Sequence, residues 1–302
     1  MPPRPHVKVS ESLCALWHGR AIPARHFRTP ASFAIKSTYS TARTRELRTS
    51  QPLPPKKWVS DIRGRIGKCI SFGCDQAQVQ RAAEIIGTLA REWRVLSAGS
   101  EGFLGGRGGG LEDQQVVWGE MDSFGHVNNT NYIRYAESSR VNWILHFAVE
   151  DPAHREAWGN LMQPKAIGLI MKSITAEYKF PMTAPDTISA YHRLRIRPEE
   201  SHTSLMLECI ILSHTHRRVA ARTIEDVSIY DYREAKKMVL PDFMIDVFHD
   251  RWRKQEERSN WARERIWGLL NEVESLEKET WNRADAVEDL GAAKSAGDTS
   301  AS

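Results

Sequence analysis

The sequence has few cysteines, no long hydrophobic run and little net charge, and each absence excludes a class of protein. Four irregularly spaced cysteines in 302 residues are too few for a disulfide-based fold and indicate a reducing compartment. No apolar run reaches the roughly 18 residues that a membrane-spanning helix needs, so we predict no transmembrane segment. Apolar residues still make up 41% of the chain, enough for the core of one large domain or two small ones.

Positive charge is concentrated at the N-terminus. The first 50 residues hold nine Lys or Arg and two acidic residues, which leaves 33 basic and 36 acidic residues for the rest of the chain. The body of the protein is therefore slightly acidic, although the whole chain has a formal net charge of +4. Because nucleic-acid binding needs a basic face on the folded body, we predict no nucleic-acid partner.

Residues 1–50 have the composition of a mitochondrial transit peptide, rich in Arg, Ser and Thr and poor in acids. Within them, "SLCALWHGRAIPARHFR" can form a short helix with one apolar and one basic face. We therefore predict a mitochondrial location, in the matrix. The alternative is a disordered basic tail.

Residues 51–111 are interpreted as a linker and an N-terminal helical extension. "QPLPPKK" at 51–57 is Pro-rich, and residues 75–96 have apolar side chains at helical spacing after Asp75, a natural helix cap. The Gly-rich segment 98–110 resembles a phosphate-binding loop only in composition, because it lacks the Lys-Ser/Thr ending of a P-loop. We interpret it as a flexible connection.

Residues 112–240 have the pattern of an α+β domain, in which a first strand is followed by one helix, 130–148, and then by more strands. The strand candidates are 114–119, 167–180, 186–197, 203–214 and 218–231. One helix followed by a run of strands predicts that the helix packs on an antiparallel sheet. Residues 241–290 form a C-terminal helical extension, with a long charged helix or helix pair over 241–285, and 291–302 are a disordered tail.

The stretch "MDSFGHVNN", residues 121–129, places several polar groups between the first strand and the helix. Gly125 allows a sharp backbone turn, and Asn128, Asn129 and Thr130 are natural caps for the helix that follows. The first N–H groups of a helix have no internal partner, and its dipole is positive there.

Such a helix end can stabilise a developing oxyanion. Asp122 lies a few residues before it, so a carboxylate can attack, or activate water, beside a polarised carbonyl group. This is a hydrolytic arrangement. The alternative is that these residues only cap the helix and close the turn.

At these residues the chain resembles a known family. "VVWGEMDSFGHVNNTNYIRYAESSR" is similar to the opening strand and central helix of hotdog-fold thioesterases of the 4-hydroxybenzoyl-CoA thioesterase type. In that family a strand ends in Asp, a G-H-x-N-N-like turn follows, and the helix carries Y-x-x-Y/F-x-E, which Tyr132, Tyr135 and Glu137 match. The resemblance covers about residues 112–232, and the whole chain is similar to fungal members of the group.

The resemblance implies a hotdog fold, in which an antiparallel sheet wraps a central helix, and hydrolysis of acyl-CoA to free acid and CoA without cofactor or metal. Asp122 would act as nucleophile, through a mixed anhydride, or as general base. Backbone N–H groups near Asn129 and Thr130 would polarise the thioester carbonyl, with Gly125, Asn128 and Tyr132 also at the substrate. Such sites lie between subunits, so a homodimer or a dimer of dimers is expected.

Three further acid–base candidates remain open. In plant acyl-carrier-protein thioesterases a related turn is D-x-N-x-H-V-N-N, which Asp122 and His126 match, whereas Phe124 replaces the Asn. His126 is therefore either an orienting or acid–base group or a structural hydrogen bond. Glu120, two residues before Asp122, would share its strand face and is an alternative acid or a solvent-facing residue. We interpret Glu137 as a buried partner for Arg140 or a backbone group.

Basic and imidazole groups elsewhere are weaker candidates. Arg193, Arg195 and Arg197 alternate along a strand, so they share a face that either meets the phosphates of CoA or is solvated. His214 and His216 as a metal pair have no third ligand in the sequence pattern. We therefore predict no metal site.

Two rival functions stay open beside acyl-CoA hydrolysis. One is a thioesterase of the same fold that acts on acyl-carrier protein. The other is a non-catalytic hotdog module that binds a partner through its 241–285 helix. Fold alone does not decide between them.

Overall fold

The computed structural model describes residues 47–106 and 108–288, all within one compact unit, residues 43–302. The predicted leader helix, Cys14 and the 291–302 tail lie outside the described residues. Of the predicted transit peptide, only residues 47–50 are described. They lie along the last helix, where the Arg48 and Ser50 amides donate to Glu256 and Asn260.

Five α-helices are described. They are α1 Trp58–Ser71, α2 Gln76–Gly99, α3 Asn129–Glu150, α4 Arg155–Asn160 and α5 Asp242–Glu279. The cap predicted for α2 is confirmed, because Asp75 accepts from the Gln78 amide at 2.8 Å and the Gln78 side chain accepts from the Asp75 amide. None of the described helices is both long enough and apolar enough to span a membrane.

The strands form one antiparallel sheet in the order β1-β3-β4-β5-β2, with β6 beside β5. They are β1 Gly110–Val116, β2 Ile167–Tyr178, β3 Asp186–Leu194, β4 Ser204–Ser213, β5 Arg218–Asp231 and β6 Lys236–Lys237. This sheet with its central helix confirms the predicted α+β hotdog fold and the long C-terminal helix.

The helix α3 packs on one face of the sheet, which we call the inner face. Alternating strand residues such as Ile188, Ala190 and Ile211 meet Tyr132 and Ala136 of α3 in one buried cluster. The C-terminal half of α3 packs against α4 and the start of α5 in a second cluster, rich in aromatic side chains. Burial of these apolar surfaces fixes α3 against the sheet.

The outer face is covered by α1, α2 and the later half of α5. The intervening strand residues Tyr191, Ile210 and Leu212 point into this third cluster. Apolar residues at helical spacing in the later half of α5 are buried here, namely Ile266, Leu269, Leu270, Val273 and Leu276. The helical spacing in α2 predicts a stripe of Val79, Ala82, Ala83, Ile86, Leu89, Ala90 and Trp93. Ala82, Leu89 and Trp93 are buried as predicted, whereas Val79 and Ile86 are exposed and Ile85 and Leu96 are buried instead.

Two local expectations were wrong. The first strand ends at Val116, and Trp118–Glu120 form a 3₁₀ turn, so Glu120 does not share a strand face with Asp122. Glu137 is exposed, and Arg140 pairs instead with Glu225 at 2.8 Å. Of the two alternatives for 241–285, the structure has the single long helix, Asp242–Glu279.

Candidate active site

The turn before α3 is held by the carboxylate of Asp122. Its Oδ1 accepts from the Phe124 amide at 2.9 Å and from the His126 amide at 3.4 Å. The Asp122 amide donates to the His126 carbonyl at 2.7 Å, and the Gly125 amide donates to the Asp122 carbonyl. Gly125 has a φ of +75°, which a side chain would disfavour. Oδ2 of Asp122 accepts no hydrogen bond from a described residue.

The first turn of α3 begins immediately after this loop. Asn128 caps the helix, and its Oδ1 accepts from the Thr130 amide at 3.0 Å and the Thr130 hydroxyl at 2.8 Å. The Thr130 side chain is therefore used in the cap. Asn129 is the first helical residue, and its N–H lies at the position that has no intrahelical partner.

Glu120 supports the turn from the other side. Its carbonyl accepts from the Asn128 amide at 2.9 Å and the Asn131 side chain at 2.8 Å, and its carboxylate accepts from the Val117 amide. Burial and the neighbouring Glu120 carboxylate raise the pKa of Tyr135 well above its ordinary value. Glu120 is thus placed to hold the loop to α3.

Tyr132, predicted at the substrate, lies in the core beside this turn. Its hydroxyl accepts from the Met182 amide at 3.1 Å, and the Val127 amide donates to the Met182 carbonyl at 2.8 Å. Burial raises the pKa of Tyr132. The side chain therefore ties α3 and the loop to the segment that precedes β3.

Two large aromatic side chains flank Asp122 on the surface. Trp118 is 80% exposed and Phe124 is 83% exposed, and the adjacent Val117 is also exposed. Burial of such side chains is favourable by roughly 1.5–3 kcal/mol each. This group of exposed apolar side chains beside a carboxylate is therefore a candidate surface for a ligand or another chain.

The site now consists of a carboxylate, a helix N-terminus and exposed aromatic groups at one end of the sheet. Residues 116–248 match the family model of the thioesterase-like superfamily. This matched segment, which we call the thioesterase-like segment, is somewhat less than half of the chain and contains the whole turn. No curated protein matched the chain.

Solved structures of similar chain path are found among thioesterases. The PA2801 protein of Pseudomonas aeruginosa is 24% identical, with a TM-score of 0.37, and the match covers 46% of this chain and 96% of that protein. A thioesterase of Thermus thermophilus, complexed with coenzyme A and Zn, is 17% identical with a TM-score of 0.36, and the match covers 51% of this chain and 98% of that one. DHNA-CoA thioesterase of Staphylococcus aureus is 16% identical with a TM-score of 0.35, and the match covers 54% of this chain and 93% of that one.

Arg193 and Arg195 lie far from the turn within one protomer. Val116 pairs with Asp186 at the start of β3, and Arg193 is seven residues further along, roughly 23 Å at about 3.3 Å per residue. Arg193 pairs with Glu208 at 2.6 Å and donates to the Glu101 carbonyl. Arg195 is further from the Glu208 carboxylate, at 4.0 Å. The thioesterase-like segment therefore keeps Arg193 in an internal ion pair.

His214 and His216 also have structural partners. His214 Nε2 lies 3.0 Å from the Ser189 hydroxyl and 3.2 Å from Arg94, and burial with the nearby Arg94 charge lowers its pKa. His216 Nδ1 lies 3.1 Å from the Ser213 hydroxyl. Among the described residues, no group of three or more His, Cys, Asp and Glu side chains could hold a metal ion.

A buried polar cluster under α3 was missed by the sequence analysis. His192 Nδ1 lies 2.8 Å from the Ser139 hydroxyl, and its Nε2 lies 3.2 Å from Glu225, which also binds Arg140 and the Thr223 hydroxyl. Ser139, His192 and Glu225 are almost fully buried, so no substrate reaches them. The sequence of β5 did not single out Glu225, because Arg222 and Asp226 are charged residues of the same strand.

Proposed function

We propose that the thioesterase-like segment hydrolyses acyl-CoA thioesters to a free acid and CoA. The observation that carries this proposal is the Asp122 carboxylate, of which one oxygen is fixed by two backbone amides while the other is free of described partners. The match to the thioesterase-like superfamily supports thioester hydrolysis in general. The coenzyme A ester as substrate is our inference.

In the general-base route, Asp122 Oδ2 takes a proton from water, and the oxygen of that water attacks the thioester carbonyl carbon. The backbone N–H of Asn129 holds the oxyanion that forms, because the Thr130 and Asn131 amides already donate to Asn128. The carbon–sulfur bond then breaks, and the thiolate receives the proton from Asp122. In the nucleophilic route, Asp122 attacks the carbonyl carbon, the carbon–sulfur bond breaks and CoA leaves as the thiolate. Water then hydrolyses the mixed anhydride to the free acid and the Asp122 carboxylate, and the proton that this step releases goes to the thiolate.

The direct test is hydrolysis of a panel of acyl-CoA chain lengths and of matching acyl-carrier-protein thioesters by the purified chain. We expect turnover of acyl-CoA, with release of one thiol per acid formed. Faster turnover of the carrier-protein esters would favour the rival thioesterase. Absence of thiol release from every ester would contradict the proposal and favour the assembly module.

The aromatic surface beside Asp122 supports a homodimer in which a second copy of the chain covers this turn. We expect the wild-type chain to be dimeric at micromolar concentration in size-exclusion chromatography with light scattering. Trp118→Ser with Phe124→Ser should weaken the dimer at least tenfold, because central aromatic side chains carry much of the energy of an interface.

Val149→Ser is the control for the dimer, because Val149 is apolar and 60% exposed but lies at the far end of α3. It should leave the dimer unchanged. A monomeric wild type, or a dimer that is unchanged by the double substitution, would contradict a homodimer formed through Trp118 and Phe124.

We also propose that residues before Leu47 direct the chain to the mitochondrial matrix. Their basic, acid-poor composition supports this. Residues 48–52 contact α5, where the Arg263 guanidinium donates to Thr49 and Gln51, so we expect processing to occur before Arg48. A fluorescent fusion of residues 1–50 should accumulate in mitochondria, and cytosolic fluorescence would refute the assignment.

A further inference from the structure

A cleft of about 570 Å³ lies away from the candidate active site, between α5, the C-terminal half of α3 and the Gly-rich loop before β1. It is lined by Leu104, Gly105, Gly108, His146, Glu150, Arg251, Lys254, Glu257, Arg258 and Trp261. His146 is 17 residues beyond Asn129 on α3, roughly 25 Å along the helix axis. The cleft is therefore separate from the Asp122 turn.

Basic side chains form one stripe of this cleft. Arg251, Lys254 and Arg258 are three and four residues apart on α5, so they share one face of the helix. The Gly-rich loop before β1 forms the opposite wall and packs closely against the His146 ring of α3. A Cβ added at Gly108 would lie 2.5 Å from that ring. A glycine at this position therefore lets the backbone of the loop form the wall of a basic cleft.

Positive charge in the cleft exceeds the negative charge that faces it. The Glu150 carboxylate is shared among Arg251 at 2.7 Å, His146 at 3.4 Å and Lys254 at 3.6 Å. Glu257 also lines the cleft, but it pairs with Arg253. Arg258 forms no ion pair with a described residue. Lys254 also pairs with Asp250 at 2.8 Å, so one cation is in excess, and an anion would meet the Arg258 guanidinium without a competing carboxylate.

Arg251 is built into the cleft rather than placed on its surface. The residue is 3% exposed and its guanidinium packs over the Phe147 ring at 4.8 Å. Its Nε is buried without a hydrogen-bond partner among the described residues. Glu150 pairs with one end of the guanidinium, but the buried Nε–H has no described acceptor. Burial of a charged group that is only partly paired disfavours its charged form.

An aromatic ring lies at the end of the basic stripe. Trp261 lines the cleft and is 43% exposed, with the Arg258 guanidinium 5.0 Å from its ring. An exposed indole can stack on a planar base, a contact worth about 1–3 kcal/mol. The cleft volume also lies within the usual range for small-molecule sites.

We propose that this cleft binds a nucleotide, with its phosphates on Arg251, Lys254 and Arg258 and its base against Trp261. The same chemistry is offered by a free nucleotide and by the nucleotide end of coenzyme A. The inference does not depend on thioester hydrolysis at Asp122. It assigns a chemical role to the Gly-rich segment, which lacks the sequence of a P-loop.

The test is equilibrium binding of ADP, CoA and inorganic pyrophosphate to the purified full chain by calorimetry at low salt. We expect ADP or CoA to bind, and pyrophosphate to bind at least tenfold more weakly. Tighter binding of ADP than CoA would support a free nucleotide as ligand. CoA binding would support its nucleotide end only if Arg258→Glu weakens it, because CoA can also bind at the Asp122 turn. Failure of both to bind, or equal binding of pyrophosphate, would overturn the proposal.

Substitutions on the exposed face of α5 localise the site. Lys254→Glu and Arg258→Glu should each weaken nucleotide binding at least tenfold, and Trp261→Ala should weaken ADP binding without changing pyrophosphate binding. Arg265→Glu is the matched control, because Arg265 is on the same helix, is as exposed as Lys254 and lies outside the cleft. Unchanged nucleotide affinity in both Glu variants, with the fold confirmed by circular dichroism, would also overturn the assignment.

Discussion

Asp122→Asn is expected to lower kcat for thioester hydrolysis by about 10²–10⁴-fold while leaving the fold intact. The Asn oxygen can still accept from the Phe124 and His126 amides, so the turn is retained. What is lost is the negative charge and the proton acceptor that both proposed routes require. The measurement is kcat and KM for acyl-CoA beside the thermal unfolding temperature.

Asp122→Ala separates the two roles of this side chain. It removes the turn hydrogen bonds as well as the carboxylate, so it should also reduce stability by about 1 kcal/mol. Glu120→Gln is the control, because an amide oxygen can keep the bond from the Val117 amide. It should leave kcat within about threefold if Asp122 is the only acid at the reaction. Full activity in Asp122→Asn would mean that the carboxylate only closes the turn.

Glu225→Gln is expected to have the largest effect on stability, a loss of about 3 kcal/mol or more at pH 7. Removal of one partner from a buried ion pair leaves the other charges uncompensated. Here those charges belong to Arg140, at 2.8 Å from Glu225, and to the adjacent His192 when it is protonated. Urea unfolding of both proteins measures the difference.

The same carboxylate predicts a pH dependence. Burial raises the pKa of Glu225, but the charges and hydrogen bonds of His192 and Arg140 outweigh it and hold the pKa at about 2, below its ordinary 4.5. A depressed folded-state pKa gives stability that is complete above pH 4.5 and is lost as the pH falls towards 2. That difference corresponds to about 3 kcal/mol.

The stability difference between wild type and Glu225→Gln should therefore stay constant from pH 7 to 5 and shrink from pH 4.5 to 3. Glu274→Gln serves as the control, since Glu274 pairs with Lys278 on the exposed surface of α5. It should leave the urea midpoint unchanged. A difference below 1 kcal/mol at pH 7, or one that does not shrink in acid, would show that the buried pair is not stabilising.

Elements whose pattern is local could be predicted from the sequence. The bounds of β5 were predicted as 218–231, as observed, because its alternating β-branched residues end at a polar turn. The capping box fixed the start of α2. The turn at Asp122 was equally local, since Gly125 and the cap at Asn128 lie within six positions of it.

Elements that depend on tertiary packing could not be predicted. The helix α1 has no side-chain cap and contains Gly64 and Gly67, which lower helix propensity, so its sequence alone did not indicate a helix. It is formed because its apolar side is buried against α2 and α5. Similarly, the buried cluster joins Ser139, His192 and Glu225 over separations of 53 and 33 positions. No local pattern encodes such a contact.

The helices that cover the outer face of the sheet lie largely outside the segment that matches the family model. The thioesterase-like segment ends at residue 248, seven residues into a 38-residue helix, and it contains neither α1 nor α2. A chain trimmed to that segment would present Tyr191, Ile210 and Leu212 to water. The segment that matches the family model is therefore shorter than the part of the chain that buries the sheet, and truncation at residue 248 would expose the apolar outer face of the sheet.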